Sequence, residues 1–208
     1  MRFDRCRKLF SKFEKLQQLN ILICGVGGVG GHALECLYKS GVRNITIIDY
    51  DTYDITNQNR QIGSEFVGRK KVEILTQLYP GITPIDMKLT PENIKEINFK
   101  KYDIVIDAID DIKAKIALIT NAYPKIISSM GAAKRIDPTK IKITSIWKTD
   151  TDPFARKIRQ ELKKIKFQGD FKVVFSTEKP IECDMGSFIG VTGAFGFALC
   201  SEVLKDFI

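Results

Sequence analysis

A glycine-rich loop between an apolar run and a helix-forming run constrains this chain more than any other feature of its sequence. Residues 21–24 are uniformly apolar, as in a strand buried on both faces, and they lead directly into Gly25-x-Gly27-x-x-Gly30. The pattern predicts a strand, a tight turn and a helix over residues 29–40, with the helix N-terminus facing an anion. The loop therefore predicts a phosphate-binding site in a Rossmann-like fold.

An acidic residue follows at the position where this fold binds a ribose. Asp49 ends the next apolar run and lies close to the expected spacing of about 20 residues from the glycine loop. Gly25 permits the tight turn, Gly27 lets a phosphate approach the backbone, and Gly30 lets the helix pack against the strand. These residues predict nucleotide binding without distinguishing NAD from ATP.

Apolar strands alternate with helical patterns through the first 130 residues. Uninterrupted apolar strands of this kind are typical of a parallel sheet covered on both faces. We therefore expect an α/β, Rossmann-like fold with a mainly parallel sheet, helices on both faces and a C-terminal extension that completes the sheet. The predicted strands are 21–24, 45–49, 83–87, 104–106, 125–129, 141–147 and 172–175. The predicted helices are 9–19, 29–40, 66–79, one starting at Thr90, 112–122, 153–166 and 187–204.

Charged side chains after the second and fourth strands favour ATP over NAD. ATP carries about two more negative charges than NAD, and adenylation develops further charge as pyrophosphate leaves, so its site calls for cations and a metal. Arg60 and Lys71 supply the cations, and Asp110 lies at the carboxyl end of the fourth strand, where it would meet Mg²⁺ or the ribose. A hydride-transfer site has no use for this cluster.

The composition excludes several other classes of protein. The five cysteines are odd in number, scattered and never arranged as C-x-x-C, which argues against a disulfide framework and a structural zinc site. A single histidine argues against a His-rich metal centre or a triad hydrolase. No apolar run reaches the ~18 residues that span a bilayer, and no apolar signal segment follows the basic N-terminus. We expect a cytoplasmic protein without a membrane partner.

At these motifs the chain resembles the ubiquitin-activating-like adenylation superfamily, which includes the bacterial activators of sulfur-carrier proteins. The resemblance implies an ATP- and Mg²⁺-dependent enzyme, and a homodimer in which Arg5 reaches the ATP γ-phosphate of the partner. The lysine of the family falls at Lys71, with Lys70 as the alternative because the spacing from Arg60 is short. The implied nucleotide-binding residues are Gly25, Gly27, Gly28, Gly30, Asp49, Asn57, Arg60, Lys71 and Asp110, the last also as metal ligand; Arg5, Arg60, Lys71 and Asp110 are the implied catalytic residues.

The second half of the chain narrows the resemblance to the tRNA threonylcarbamoyladenosine dehydratase branch. The stretches that carry it are 129–133, 136–139, 148–159, 174–178 and the segments around Cys183 and 192–197. The two C-x-x-C pairs of the sulfur-carrier activators are missing, which also favours this branch. The implied organisation is one adenylation domain, 1–208, with a helical arm (1–19), a nucleotide-binding core (20–130) and a substrate-binding extension (131–208) whose crossover loop lies near 148–186.

The resemblance implies that a threonyl carboxylate on tRNA attacks the ATP α-phosphate, giving an acyl-adenylate that cyclises with loss of AMP. The alternative activity is adenylation of the C-terminal carboxylate of a sulfur-carrier protein. An NAD-dependent oxidoreductase and a non-catalytic scaffold are further alternatives, and a cysteine desulfurase or sulfur-acceptor protein stays open as a partner. Cyclisation within one molecule needs no covalent cysteine, so Cys183 is interpreted as a partly buried structural thiol, with a thioester role as the alternative.

Basic residues in the second half form the predicted tRNA surface. The formal net charge is +8, and its excess is concentrated between residues 156 and 172, which suits a polyanionic partner. A solvated lysine-rich helix face is the alternative. The candidate tRNA contacts are Lys134, Arg135, Arg156, Lys157, Arg159, Lys163 and Lys164. His32, Trp147, Phe195 and Phe197 are expected to pack rather than bind ligand, although His32 lies close enough to the loop to touch phosphate.

Overall fold

Seven strands form one sheet in the computed structural model, which describes residues 2–208. The sheet order is β3-β2-β1-β4-β5-β7-β6, and every neighbouring pair is parallel except β6 and β7. The predicted Rossmann-like fold is therefore confirmed, and β6 and β7 are the extension that completes the sheet. The strands are β1 (Asn20–Cys24), β2 (Asn44–Asp49), β3 (Thr83–Asp86), β4 (Ile104–Asp107), β5 (Ile126–Ser129), β6 (Ile141–Ser145) and β7 (Lys172–Ser176).

Helices cover the sheet on both faces. Alternate residues of β1 point to opposite sides, so Ile21 and Ile23 join one buried cluster while Leu22 and Cys24 join the other. The first cluster contains side chains of α2, α3, α4 and α7, and the second contains those of α5 and α6. The helices are α1 (Asp4–Leu9), α2 (Phe13–Gln18), α3 (Gly30–Ser40), α4 (Lys71–Leu78), α5 (Ile112–Ala122), α6 (Pro153–Lys164) and α7 (Ile189–Leu204).

Two predicted helices in the first half are wrong in extent. The helix predicted over 9–19 is replaced by α1 and α2, which are separated by residues 10–12. The helix predicted over 66–79 begins only at Lys71, because Gly68 has a φ of +81° and the backbone at 68–69 pairs with both the amide and the carbonyl of Tyr53. This pairing holds the segment before α4 in a turn.

Three other elements also differ from the prediction in type or extent. The helix expected at Thr90 is only a short 3-10 turn, Asn93–Glu96, because Asn98 caps a second turn soon after it. The strand predicted to reach residue 147 ends at Ser145, whose hydroxyl accepts a hydrogen bond from the Trp147 amide and starts a 3-10 turn. The helix predicted to reach residue 166 ends at Lys164, and Lys166 then adopts a left-handed φ of +54°.

One disulfide joins α3 to α7, although the cysteine pattern argued against a disulfide framework. Cys36 and Cys200 are bonded, with their Cα atoms 6.1 Å apart and a sequence separation of 164. The pairing depends on α7 packing against α3, where Gly196 lies so close that a Cβ would be 2.5 Å from the Val29 carbonyl oxygen. Within residues 2–208, no helix has both the length and the apolar character needed to cross a membrane.

Candidate active site

A cavity of about 1140 Å³ lies at the carboxyl ends of the central strands. The residues that line it follow β1, β2, β4 and β5, which is the edge where open α/β sheets bind ligands. Its volume exceeds the roughly 300–1000 Å³ of a typical small-molecule site, so there is room for a nucleotide and part of a second substrate. One end contains the glycine loop, and the other contains residues 130–135 and 152–154.

The glycine loop has the shape that the sequence predicts. Gly25 has a φ of +83°, and a Cβ there would lie 2.8 Å from the carbonyl oxygen of Ala108, which follows β4, so only glycine fits the turn that leads from β1 toward α3. A Cβ on Gly28 would lie 3.2 Å from Cγ of Arg60. The missing side chain therefore lets the Arg60 stem lie across the loop, and Gly27 beside it faces the cavity.

Asp49 fixes the loop to the end of β2. Its buried carboxylate accepts hydrogen bonds from the Val26 amide (2.8 Å) and the Asp51 amide (2.9 Å). Each carboxylate oxygen has a further lone pair, so the side chain, which lines the cavity, can still accept ribose hydroxyls. The residue thus holds the phosphate loop in place as well as facing the predicted ribose position.

Asn57 and Arg60 are positioned by a capped turn. Asp54 caps the 3-10 turn Ile55–Asn57, and the Asn57 side-chain oxygen accepts a hydrogen bond from the Asp54 amide at 3.1 Å. One Arg60 nitrogen donates to the Thr56 carbonyl at 2.9 Å. Both side chains line the cavity, and no carboxylate pairs with Arg60 within residues 2–208. Its guanidinium therefore keeps donors for an anionic ligand.

The structure separates the two adjacent lysines that the sequence left as alternatives. Lys71 is buried and lines the cavity, with its Nζ atom 2.8 Å from Oδ2 of Asp51. The Lys70 ammonium instead bonds the Tyr50 carbonyl and Oδ1 of Asp86, outside the cavity lining. Lys71 is therefore the lysine that the fold directs toward the nucleotide end.

Asp110 presents an exposed carboxylate to the cavity. No hydrogen bond or ion pair holds it within the part of the chain described, and its negative charge is one of the causes that raise the pKa of Tyr50, after Asp51 and desolvation. Residues 2–208 contain no cluster of three or more His, Cys, Asp or Glu side chains suited to a metal. One carboxylate is nevertheless enough for Mg²⁺ that is also held by substrate phosphates.

A buried ion pair behind Asp110 was missed by the sequence analysis. Lys115 and Asp107 are fully buried, with Nζ of Lys115 2.7 Å from Oδ2 of Asp107, and Ser128 donates a hydrogen bond to the same oxygen. Oδ1 of Asp107 accepts from the Ile109 amide at 3.3 Å, which supports the turn leading to Asp110. Desolvation and the Asp107 charge together raise the pKa of the nearby Cys24 thiol. Asp107 at the end of β4 was the sequence feature that could have indicated this pair.

Arg135 is a second buried charge, and this corrects its prediction as a tRNA contact. Only 3% of the residue is exposed, and its guanidinium donates to the carbonyls of Gly131 and Glu178 and pairs with Asp152 at 3.6 Å. Asp152 also accepts from the Gly131 amide, while desolvation raises its pKa and the Arg135 charge opposes that shift. The Arg135–Asp152 pair holds the loop after β5 in place. Arg135 therefore has a structural role, which its residue type alone did not reveal.

The other predicted tRNA contacts fall into two groups. Lys134 lines the cavity, and Arg159 is half-buried, donating to the Thr149 hydroxyl. The remaining candidates are exposed on α6, where Glu161 pairs with two of them. These exposed residues are Arg156, Lys157, Lys163 and Lys164.

Arg5 lies outside the cavity of its own chain. It is exposed on α1, where the Cys6 sulfur contacts the carbonyl of Lys39 at the C-terminal end of α3, far from the glycine loop that precedes this helix. With a rise of about 1.5 Å per residue, α3 separates the arm from the glycine loop by roughly 16 Å. Arg5 therefore does not belong to the cavity of its own chain.

Five further side chains can be compared with the surroundings expected for them. Cys183 is exposed rather than partly buried, because the segment around it is loop. Phe197 is 49% exposed, whereas Phe195 is buried in the core as expected. His32 is buried, bonds the Gly28 carbonyl at 2.7 Å and packs edge-on against Phe197, so it packs behind the glycine loop. Trp147 is half-buried, as expected of a packing residue, and its indole N–H bonds the Gly169 carbonyl.

Comparison with known proteins agrees with this geometry. The model of the ThiF family matches residues 7–206. The chain belongs to the ThiF family. This membership and the relatives below confirm the resemblance predicted from the motifs.

Curated relatives of this ThiF family protein match it over most of its length. The tRNA threonylcarbamoyladenosine dehydratase of Bacillus subtilis (strain 168) is 39% identical over 179 residues, which cover 81% of this chain and 70% of the relative. The protein of the same name from Escherichia coli (strain K12) is 34% identical, over 98% of this chain and 92% of the relative.

A solved structure extends the comparison to the fold of this ThiF family protein. The crystal structure of the Escherichia coli tRNA N6-threonylcarbamoyladenosine dehydratase in complex with ATP has a TM-score of 0.92 and 34% identity. The match covers 99% of this chain and 93% of that one. The similarity therefore includes the second half of the chain, which forms the far end of the cavity.

Proposed function

We propose that this ThiF family protein uses ATP to dehydrate threonylcarbamoyladenosine in tRNA through an acyl-adenylate. The observation that carries the proposal is a single cavity, with groups suited to binding phosphate at one end and preformed cationic groups at the other. The alignment with the Escherichia coli tRNA threonylcarbamoyladenosine dehydratase covers 98% of this chain and so includes both of its ends. The same similarity supports adenylation and tRNA modification as its activity.

The nucleotide end binds ATP through backbone and side-chain groups already in place. The glycine loop and the N-terminus of α3 accept the phosphates, and Asp49 accepts the ribose hydroxyls. Arg60 and Lys71 oppose the negative charge that grows on pyrophosphate as it leaves. Asp110 would hold Mg²⁺, which neutralises phosphate charge and orients the leaving group when bound.

The reaction takes place in two steps. A threonyl carboxylate oxygen attacks the α-phosphorus of ATP, a P–O bond forms, and the bond to pyrophosphate breaks. A neighbouring atom of the same modified base then attacks the acyl carbon, closing a five-membered ring while the bond to AMP breaks and one proton is lost. Because ring closure is intramolecular, its effective molarity reaches about 10⁵ M or more in well-oriented cases, and no enzyme nucleophile is needed.

A homodimer would complete the site. Arg5 is exposed on α1 and does not line the cavity of its own chain, so its proposed contact with the γ-phosphate must come from a partner copy. We also propose that the exposed basic residues of α6 contact tRNA phosphates. Arg156 and Lys163 are free of ion pairs within residues 2–208, whereas Lys157 and Lys164 both pair with Glu161.

Mass spectrometry of the product tests the proposed function. The purified protein is incubated with ATP, Mg²⁺ and tRNA that carries threonylcarbamoyladenosine, and the tRNA is digested to nucleosides. A modified nucleoside lighter by one water is expected, and its absence would overturn the assignment. Parallel pyrophosphate-exchange reactions distinguish the alternative, since exchange that depends on a sulfur-carrier protein and ignores tRNA would indicate carrier activation.

A further inference from the structure

Lys134 has a strained backbone at the far end of the cavity. Its φ is +62°, in the left-handed region that is unfavourable for non-glycine residues. The conformation is held from both sides, because its amide donates to the Gly186 carbonyl and its carbonyl accepts from the Ile181 amide, each at 2.8 Å. Strain that is held in this way at a ligand cavity suggests a functional reason for the residue.

The Lys134 ammonium has no protein partner within residues 2–208. Of the other buried or half-buried cations that line the cavity, Lys71 pairs with Asp51 and Arg135 with Asp152, whereas Arg60 lies beside the glycine loop without a carboxylate partner. Lys134 is half-buried and lines the cavity, yet it makes no side-chain hydrogen bond or ion pair. A partly desolvated cation without a counterion is a favourable position for an anionic ligand group.

The position of Lys134 in the sheet separates it from the phosphates. It follows β5, which is two strands away from β1 and its glycine loop in the order β1-β4-β5. Two strand spacings of about 4.8 Å place the end of β5 roughly 10 Å from the end of β1. Asp110, after β4, lies between them along the sheet edge. An anion bound at Lys134 would therefore lie on the other side of Asp110 from the glycine loop.

We propose that Lys134 binds the substrate carboxylate that is to be adenylated, rather than a phosphate of the tRNA backbone. The inference rests on the proposed function. A carboxylate that approaches a triphosphate is repelled by like charge, and a neighbouring ammonium offsets this repulsion most effectively where water is scarce. When the carboxylate oxygen bonds the α-phosphorus and pyrophosphate leaves, the carboxylate charge is lost and the ammonium no longer holds the acyl group.

Binding of two tRNAs tests this assignment. The Kd of the protein is measured for tRNA with threonylcarbamoyladenosine and for the same tRNA without the modification. Lys134→Gly removes the ammonium and also relieves the left-handed φ, so loss of binding cannot be attributed to added backbone strain. Lys166→Gly is the matched control, because Lys166 has a φ of +54°, is exposed and lies outside the cavity.

Lys134→Gly is expected to weaken binding of the modified tRNA by about 10- to 100-fold, the effect of losing a charge-assisted hydrogen bond, and to leave unmodified tRNA unaffected. Lys166→Gly is expected to keep the ratio of the two Kd values. Equal weakening of both tRNAs by Lys134→Gly would indicate a backbone-phosphate contact and overturn the proposal, as would unchanged binding of both.

A wild-type control separates failure of this inference from failure of the proposed function. If the wild-type protein forms the dehydrated nucleoside but Lys134→Gly keeps its preference for modified tRNA, only the carboxylate assignment fails. If the wild type forms no such nucleoside, the proposed function fails first. The affinity for ATP should stay unchanged in Lys134→Gly, and its melting temperature should equal or exceed that of the wild type, which together show an intact nucleotide end.

Discussion

The ammonium of Lys71 lies 2.8 Å from the carboxylate of Asp51 inside the cavity, while the adjacent Lys70 bonds Asp86 outside it. Lys71→Ala is expected to lower the rate of adenylation by about 100-fold or more, because a preorganised cation that opposes developing charge is lost. Lys70→Ala is the matched control and should change the rate little, since its pair is at the surface. ATP–pyrophosphate exchange measures both, and equal losses would contradict the assignment.

Lys115→Met is expected to reduce the free energy of unfolding by about 3–5 kcal/mol, because it leaves the fully buried Asp107 carboxylate without its partner. Urea denaturation measures the change. Lys113→Met, an exposed site on the same helix, provides the control and should stay within about 0.5 kcal/mol of the wild type. An effect at Lys115 no larger than that at Lys113 would contradict this role of the buried ion pair.

Asp152 predicts a specific pH dependence of stability. Burial raises its folded pKa above 3.8, so the folded state binds its proton more tightly than the unfolded state does. The contribution of Asp152 to the free energy of unfolding is therefore most favourable at low pH, and it is lost as the pH rises from about 3.8 through the raised pKa. Asp152→Asn should cost more stability at pH 4 than at pH 7 in urea denaturation, and a cost that grows with pH would contradict this direction.

Cys183→Ser is expected to keep at least about half of the dehydration rate, since ring closure proceeds without a covalent intermediate on the enzyme. The thiol is exposed and does not line the cavity. The rate of formation of the dehydrated nucleoside is the measurement. A loss of about 100-fold or more in a folded Cys183→Ser variant would instead indicate a thioester, as expected for a nucleophile lost from catalysis.

The sequence predicted the sheet because its signals are local. The apolar run of β1, the turn at Gly25 and the acid at Asp49 each follow from neighbouring residues, and the structure places all three as expected. The late start of α4 was missed because it depends on pairing with Tyr53, which lies more than a dozen residues earlier. Helix propensity alone does not include such pairing.

The errors at the site have the same origin. Arg135 was predicted as a tRNA contact and Lys115 was not singled out, since those residue types are rarely buried and only the fold reveals the carboxylates that pair with them. The Cys36–Cys200 disulfide also needs a contact between distant helices. Lys71 and Lys70 could not be separated by spacing, because the alternative directions of their side chains are set by the N-terminus of α4.

The packing of α7 on α3 has a consequence for synthesis on the ribosome. The helix behind the glycine loop contacts Phe195, Gly196 and Leu199, which are translated well after that loop. Chains grow from the N-terminus at about 5–20 residues per second, so the glycine loop emerges several seconds before the helix that covers its back. A nascent chain would therefore gain ATP affinity only once α7 has left the exit tunnel, and products truncated before α7 should remain without it.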